Sequence, residues 1–183
     1  MEHSEDTKKP HDKSSFLDER KKVLEIAGVN DLEVLDVGAG PLCIMAAKGY
    51  DCFVTSIDID TEKIAVWEEK AENEGVSEKI SFEKEDVTNL SYCNDAFDVG
   101  ICFGALHHIP EDKREKALAE ISRVSYLRFI IAEFTPEGFE ILHGKDGFTG
   151  VDLHSLESYL NKSGSLRVVP LENLNVYIIE KKV

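Results

Sequence analysis

A chain of 183 residues fits one domain with a single well-buried core, and its hydrophobic share of 42% is ordinary for a globular protein. The formal net charge of −15 argues against broad phosphate-backbone binding, which needs clustered lysine and arginine; no such cluster stands out beyond Arg20-Lys21-Lys22. No run reaches the roughly 18 apolar residues of a membrane helix, and Met1 to Lys13 lacks the apolar stretch of a secretory signal.

In chain order, residues 1–14 mix charges with Pro10 without apolar period, which predicts a flexible tail ahead of one domain over 15–183. Phe16, Leu17, Val23, Leu24, Ile26 and Ala27 then recur at helical spacing up to Gly28. Glu33 to Val37 reads as a strand, followed by a helix from Pro41 to Lys48; proline suits a first turn, where its missing N–H has no partner. Cys52 to Ile57 reads as a second strand, and Asp60 or Thr61 caps a helix whose Ile64, Trp67 and Ala71 share a face. Trp67 is read as helix packing rather than as a stacking platform. Lys79 to Lys84 alternates apolar and charged residues, as an edge strand does, and Phe97 to Phe103 is apolar enough to be central. A helix opens at Pro110-Glu111-Asp112, and Leu127 to Phe134 forms a fifth strand. Residues 135–150 carry four glycines and read as a loop. A helix over Asp152 to Lys162 precedes two short strands, Leu166 to Val169 and Leu174 to Ile179, whose brief connection forces them antiparallel.

Strands and helices in alternation imply a mostly parallel sheet with helices on both faces, here closed by an antiparallel hairpin strand. Ligands of such sheets bind beyond the carboxyl ends of the strands, where the strand order reverses. The candidate chemistry lies at those ends. Gly38 and Gly40 let the backbone turn sharply after the first strand and approach a ligand closely. A dinucleotide fingerprint would place its third glycine at position 43, which is Cys43. Asp58 ends the second strand, where a carboxylate can accept both hydroxyls of a ribose. Asp86 follows the third strand and can receive an adenine amino group, and the fourth strand leads to Gly104-Ala105-Leu106-His107-His108.

These motifs resemble a class I S-adenosylmethionine-dependent methyltransferase. Val34-Leu35-Asp36-Val37-Gly38-Ala39-Gly40, Asp58, Glu85-Asp86-Val87 and Phe97-Asp98-Val99 through His107-His108-Ile109 carry the likeness, which runs from Glu33 to Val183. It implies a single Rossmann-like α/β domain of three layers with a seven-stranded sheet, and S-adenosylmethionine as cofactor, leaving as S-adenosylhomocysteine. By the same likeness Gly38, Ala39 and Gly40 lie against the methionine part, Asp36 orients its ammonium, and Asp58 holds the ribose. Ile59 packs on the adenine, Asp86 and Val87 meet its edge, and Phe103 and Gly104 offer backbone near the methionine end. The sequence departs from the pattern at Leu42, where the family commonly has a third glycine.

His107 and His108 stand where the acceptor is expected, and imidazole has a pKa suited to removing its proton. His143 and His154, near Asp146 and Asp152, match no compact zinc spacing and are read as surface residues, so no metal is expected. The expected acceptor is a small molecule: the charge disfavours nucleic acid, and no amino-directed Asn/Asp-Pro-Pro-Tyr/Phe run is present. The four cysteines form no CxxC pair and read as free thiols of a reducing, cytoplasmic compartment. Residues 15–28 and 138–150 are expected to cover the site. Two other readings remain open: a noncatalytic cofactor-binding subunit, motivated by Leu42, and a nicotinamide-dependent oxidoreductase, disfavoured by Cys43 and the hairpin.

Overall fold

The computed structural model describes residues 14–144 and 147–181. The expected tail lies outside the described residues, save Ser14, which opens the first helix. α1 (Ser14–Ala27) buries Phe16, Val23, Leu24 and Ala27. β1 (Glu33–Val37) is buried from Val34 onward, and α2 (Pro41–Gly49) follows with Pro41 in its first turn. β2 (Phe53–Asp58) leads to α3 (Thr61–Asn73), capped by Asp60, whose carboxylate accepts the N–H groups of Glu62 and Lys63. β3 (Ile80–Lys84), β4 (Phe97–Phe103), α4 (Glu111–Val124) and β5 (Ser125–Phe134) come next. α5 (Pro136–His143), α6 (Leu153–Leu160), β6 (Ser165–Pro170) and β7 (Leu174–Glu180) complete the chain.

The strands form one sheet in the order β3-β2-β1-β4-β5-β7-β6, with β7 antiparallel to both neighbours and the other pairings parallel. Inner strands are buried on both faces, so their residues alternate between two cores. Val34, Val99, Ile101, Ile130 and Val176 pack under α1 and α2, whereas Leu35, Cys102, Phe129, Ile131 and Tyr177 pack under α4 and α6. α1 is also tied to the far end of the chain, because the Glu19 carboxylate accepts the Asn173 N–H at 2.7 Å.

Residues 135–150 are a correction to the loop expectation, since half of that stretch, Pro136–His143, is α5. Thr135 caps it by accepting the Gly138 N–H, Pro136 occupies its first turn, and Phe139, Ile141 and Leu142 pack on the core. Gly138 sits inside a helix for a packing reason: a Cβ there would run into the carbonyl of Asn173. Trp67 is half-buried, with the Lys70 ammonium 4.0 Å from its ring centroid, in keeping with helix packing. All four cysteines are free, and Cys93, unlike the other three, is exposed.

Candidate functional site

β1 and β4 are neighbours whose following connections leave in opposite directions across the sheet, which makes the gap beyond their carboxyl ends the switch point. A cleft of about 450 Å³ opens there. Gly38 after β1, Asp58 and Ile59 at the end of β2, Asp86 and Val87 after β3, and His108 after β4 all line it. Val37, Ile57, Ile109 and Pro110 add apolar wall, and the volume lies in the range of small-molecule sites.

Asp58 is the most connected of the cleft's acids. Its carboxylate accepts the N–H of Ala39 at 3.1 Å and of Asp60 at 3.0 Å, and the Lys63 ammonium lies 2.7 Å away. The Ala39 bond ties the glycine turn to the end of β2, so both move as one unit. Asp86 takes the N–H and hydroxyl of Thr88 on one oxygen, bonds that hold its pKa below the ordinary carboxylate range. Ile59 presents an apolar side chain that is 65% exposed, a surface that needs a partner.

Gly38 has φ of +97°, which a side chain would strain, and a Cβ there would stand 3.1 Å from that of Ala105. Gly40 precedes α2 as its cap, while Ala39 is buried; neither lines the cleft. Asp36 is buried beneath the turn and accepts the Ser56 hydroxyl at 2.9 Å. Burial pushes its pKa up to about 7, against the opposing pull of Ser56, Lys63 and Arg20. Leu42 points into the core under α1 and α2, so its side chain does not narrow the cleft. Phe103 and Gly104 lie off the cleft, with the Arg20 guanidinium 4.7 Å above the Phe103 ring.

The histidine pair divides. His107 is sealed, its Nδ1 is 2.9 Å from Glu133 Oε1, and its Nε2 is 3.1 Å from His143 Nε2. His108 is exposed and faces the cleft; partial burial, together with His107, Lys63 and His143, pushes its pKa down to about 4. At neutral pH it is therefore an uncharged imidazole. His154 is the second residue of α6, where its N–H bonds the capping carboxylate of Asp152. Asp146 lies outside the described residues.

A family profile described as a methyltransferase domain matches residues 34–125, half of the chain. The chain belongs to the class I S-adenosylmethionine-dependent methyltransferases. It is 27% identical over 150 residues to a demethylmenaquinone methyltransferase of Bacteroides fragilis, covering 80% of this chain and 61% of that protein. It is 31% identical over 94 residues to ajmaline N-methyltransferase of Rauvolfia serpentina, covering 50% of this chain and 32% of that one. A third relative, from Haemophilus influenzae, is 26% identical over 151 residues, with 82% and 53% covered. The chain thus spans between about a third and three fifths of the length of these curated relatives.

Among solved structures, magnesium protoporphyrin IX methyltransferase from Synechocystis with bound SAH superposes with a TM-score of 0.69 at 16% identity, over 91% of this chain and 84% of that one. A methyltransferase from Methanosarcina mazei gives 0.68 at 22%, over 87% and 96%. The [4+2]-cyclase SpnF gives 0.72 at 18%, over 91% and 64%. At these identities the likeness is one of fold.

Two residues near the site, Lys63 and Glu133, are not singled out by the sequence, and a third, His143, is read there as a surface residue. Lys63 pairs with Asp58 from the first turn of α3, where it reads as an ordinary solvated lysine. His143 reaches His107 from the end of a helix that was read as loop. Glu133 alone left a signal, as an acid set in the apolar run Phe129-Ile130-Ile131-Ala132 before Phe134. No helix among the described residues is long and apolar enough to cross a membrane.

Proposed function

We propose that this chain transfers a methyl group from S-adenosylmethionine to a small-molecule acceptor bound beside His108. One observation carries the reading: carboxylates from separate strand ends, Asp58 and Asp86, face a single cleft alongside the positive-φ glycine turn at Gly38. The residues present suit an adenosine. Asp58 would exchange its Lys63 partner for the ribose hydroxyls, Ile59 would cover one face of the base, and Asp86 with the Val87 backbone would meet its amino edge. Gly38 would border the methionine part, while Ala39, Gly40, Phe103 and Gly104, which lie off the cleft, would shape the turn and the end of β4 behind it. Asp36, buried below the turn, would act on the ammonium through its field and through water rather than by contact.

Bound there, the cofactor supplies a methyl group on a cationic sulfur with a neutral thioether as leaving group. The chain's own task is alignment and exclusion of water. His108 stands at the acceptor side, and its depressed pKa leaves Nε2 or Nδ1 free to accept a hydrogen bond from the acceptor. As a base it is weak, so it suits an acceptor whose proton is lost readily once methylation begins. His107 contributes by position, held by Glu133 behind His108. α1 and residues 138–144 and 147–150 would form the cover in this reading. A cytoplasmic location goes with it, as do the free thiols.

Calorimetric titration tests the cofactor. S-adenosylmethionine and S-adenosylhomocysteine should bind one per chain and NAD should not; the reverse preference would refute the assignment. Mass spectrometry of copurifying small molecules then addresses the acceptor.

A further inference from the structure

We propose that His107, His108 and His143 form a binding site for one divalent transition-metal ion of the zinc type, with Glu133 orienting His107. The three side chains come from distant places: the turn after β4 and the last residue of α5. Their ligand nitrogens nevertheless lie within 4.8 Å of one another. The tightest pair, His107 Nε2 and His143 Nε2, is 3.1 Å apart. Two imidazole nitrogens on a tetrahedral zinc, each at about 2.0–2.1 Å, stand about 3.3–3.4 Å apart, so this pair is nearly at ligand spacing already.

Glu133 supplies the second argument. Its Oε1 takes the Nδ1–H of His107 at 2.9 Å, which leaves the Nε2 lone pair of that ring directed toward His143. A buried carboxylate behind a ligating histidine is the usual orienting arrangement in metal sites, fixing the tautomer and raising ligand basicity. Among the described residues its other oxygen, Oε2, is buried without a hydrogen-bond partner. A carboxylate buried in this way is costly unless a positive charge stands near it. A divalent ion held by the imidazoles would supply that charge.

The surroundings complete the case. Phe134, Phe139 and Phe148 pack their rings around His107, and the buried Phe134 keeps water from its inner side. His108 lines the cleft, so an ion held by the three imidazoles would stand beside it and engage the lone pair that His108 otherwise offers the acceptor. Three histidines with one open position is the pattern of a catalytic rather than a structural zinc site. Without an ion, the same geometry is a hydrogen-bonded relay from Glu133 through His107 to His143, and the test separates the two.

The full chain, free of any purification tag and stripped with chelator, is titrated with zinc by calorimetry and with cobalt by visible absorption. One ion per chain is expected, with the strong ligand-field bands of four-coordinate cobalt. His143→Ala and His108→Ala should each weaken zinc binding by about 100-fold or more, and Glu133→Gln by about 10–100-fold. His154→Ala, remote on α6, should leave binding unchanged. Circular dichroism confirms folding of each variant, and if Glu133→Gln fails to fold the two histidine variants still decide. No stoichiometric binding, or binding that survives both His143→Ala and His108→Ala, would overturn the proposal. Neither readout depends on methyl transfer, so the site stands or falls apart from the proposed reaction.

Discussion

Asp36 and Asp58 are both acids at strand ends next to one glycine turn, yet their surroundings give them opposite tasks. Asp58 is partly exposed, faces the cleft and is held by Lys63 and two N–H groups. Removing it should cost the ribose its acceptor. Asp58→Ala should weaken S-adenosylhomocysteine binding by about 10–100-fold by calorimetry, the worth of charge-assisted hydrogen bonds of about 1.5–3 kcal/mol. Asp36 is buried, with a pKa pushed up to about 7. A folded-state pKa above the unfolded value favours the protonated folded form. That stabilisation is complete below about pH 4 and is lost as pH rises toward 7. Asp36→Asn should flatten the fall in melting temperature across this interval, a difference of a few kcal/mol at each pK shift of this size. A wild-type melting temperature that rises from about pH 4.5 to about pH 7.5 in step with ionisation of Asp36 would contradict it. At Gly38, alanine would be forced to a φ of +97°, and Gly38→Ala should lower stability by about 1–3 kcal/mol in denaturant unfolding.

At the scale of elements, the readable part is where periodicity and punctuation agree. β1 and β4 have the bounds their apolar runs predict, and Asp60 and Asp152 cap the helices that follow them. α5 was illegible because Gly138 and Gly144 resemble loop punctuation, and the reason for Gly138 is the Asn173 carbonyl, 35 residues away (173 − 138). Its own start signal, Thr135-Pro136-Glu137, was present and outweighed by the glycines. That cap matters because α5 carries His143. Thr135→Ala should cost about 1 kcal/mol and speed amide exchange over residues 136–143, read by hydrogen–deuterium exchange. Unchanged exchange there would show that tertiary packing alone holds the helix. The edge position of β3 was also legible, since Ile80 and Phe82 alternate with the polar Lys79, Ser81 and Glu83.

Across the whole molecule, 36 acidic against 21 basic side chains repel one another in the compact state. Adding monovalent salt should therefore raise the melting temperature, through screening over a Debye length of about 10 Å at 0.1 M. A fall with salt would mean that favourable ion pairs such as Lys48–Glu74 and Lys63–Asp58 outweigh the net repulsion. The same scale decides the candidate site. Gly38, Asp58 and Asp86 were legible from sequence because each stands where a strand ends, and in a parallel sheet all strand ends of interest lie along one edge. Local pattern therefore sufficed to name them and to suggest the family. Lys63 beside Asp58, Glu133 behind His107 and His143 against His107 were decided only by the folded chain. They meet through packing between segments far apart in sequence, and no period or spacing along the chain encodes which side chains a fold will press together.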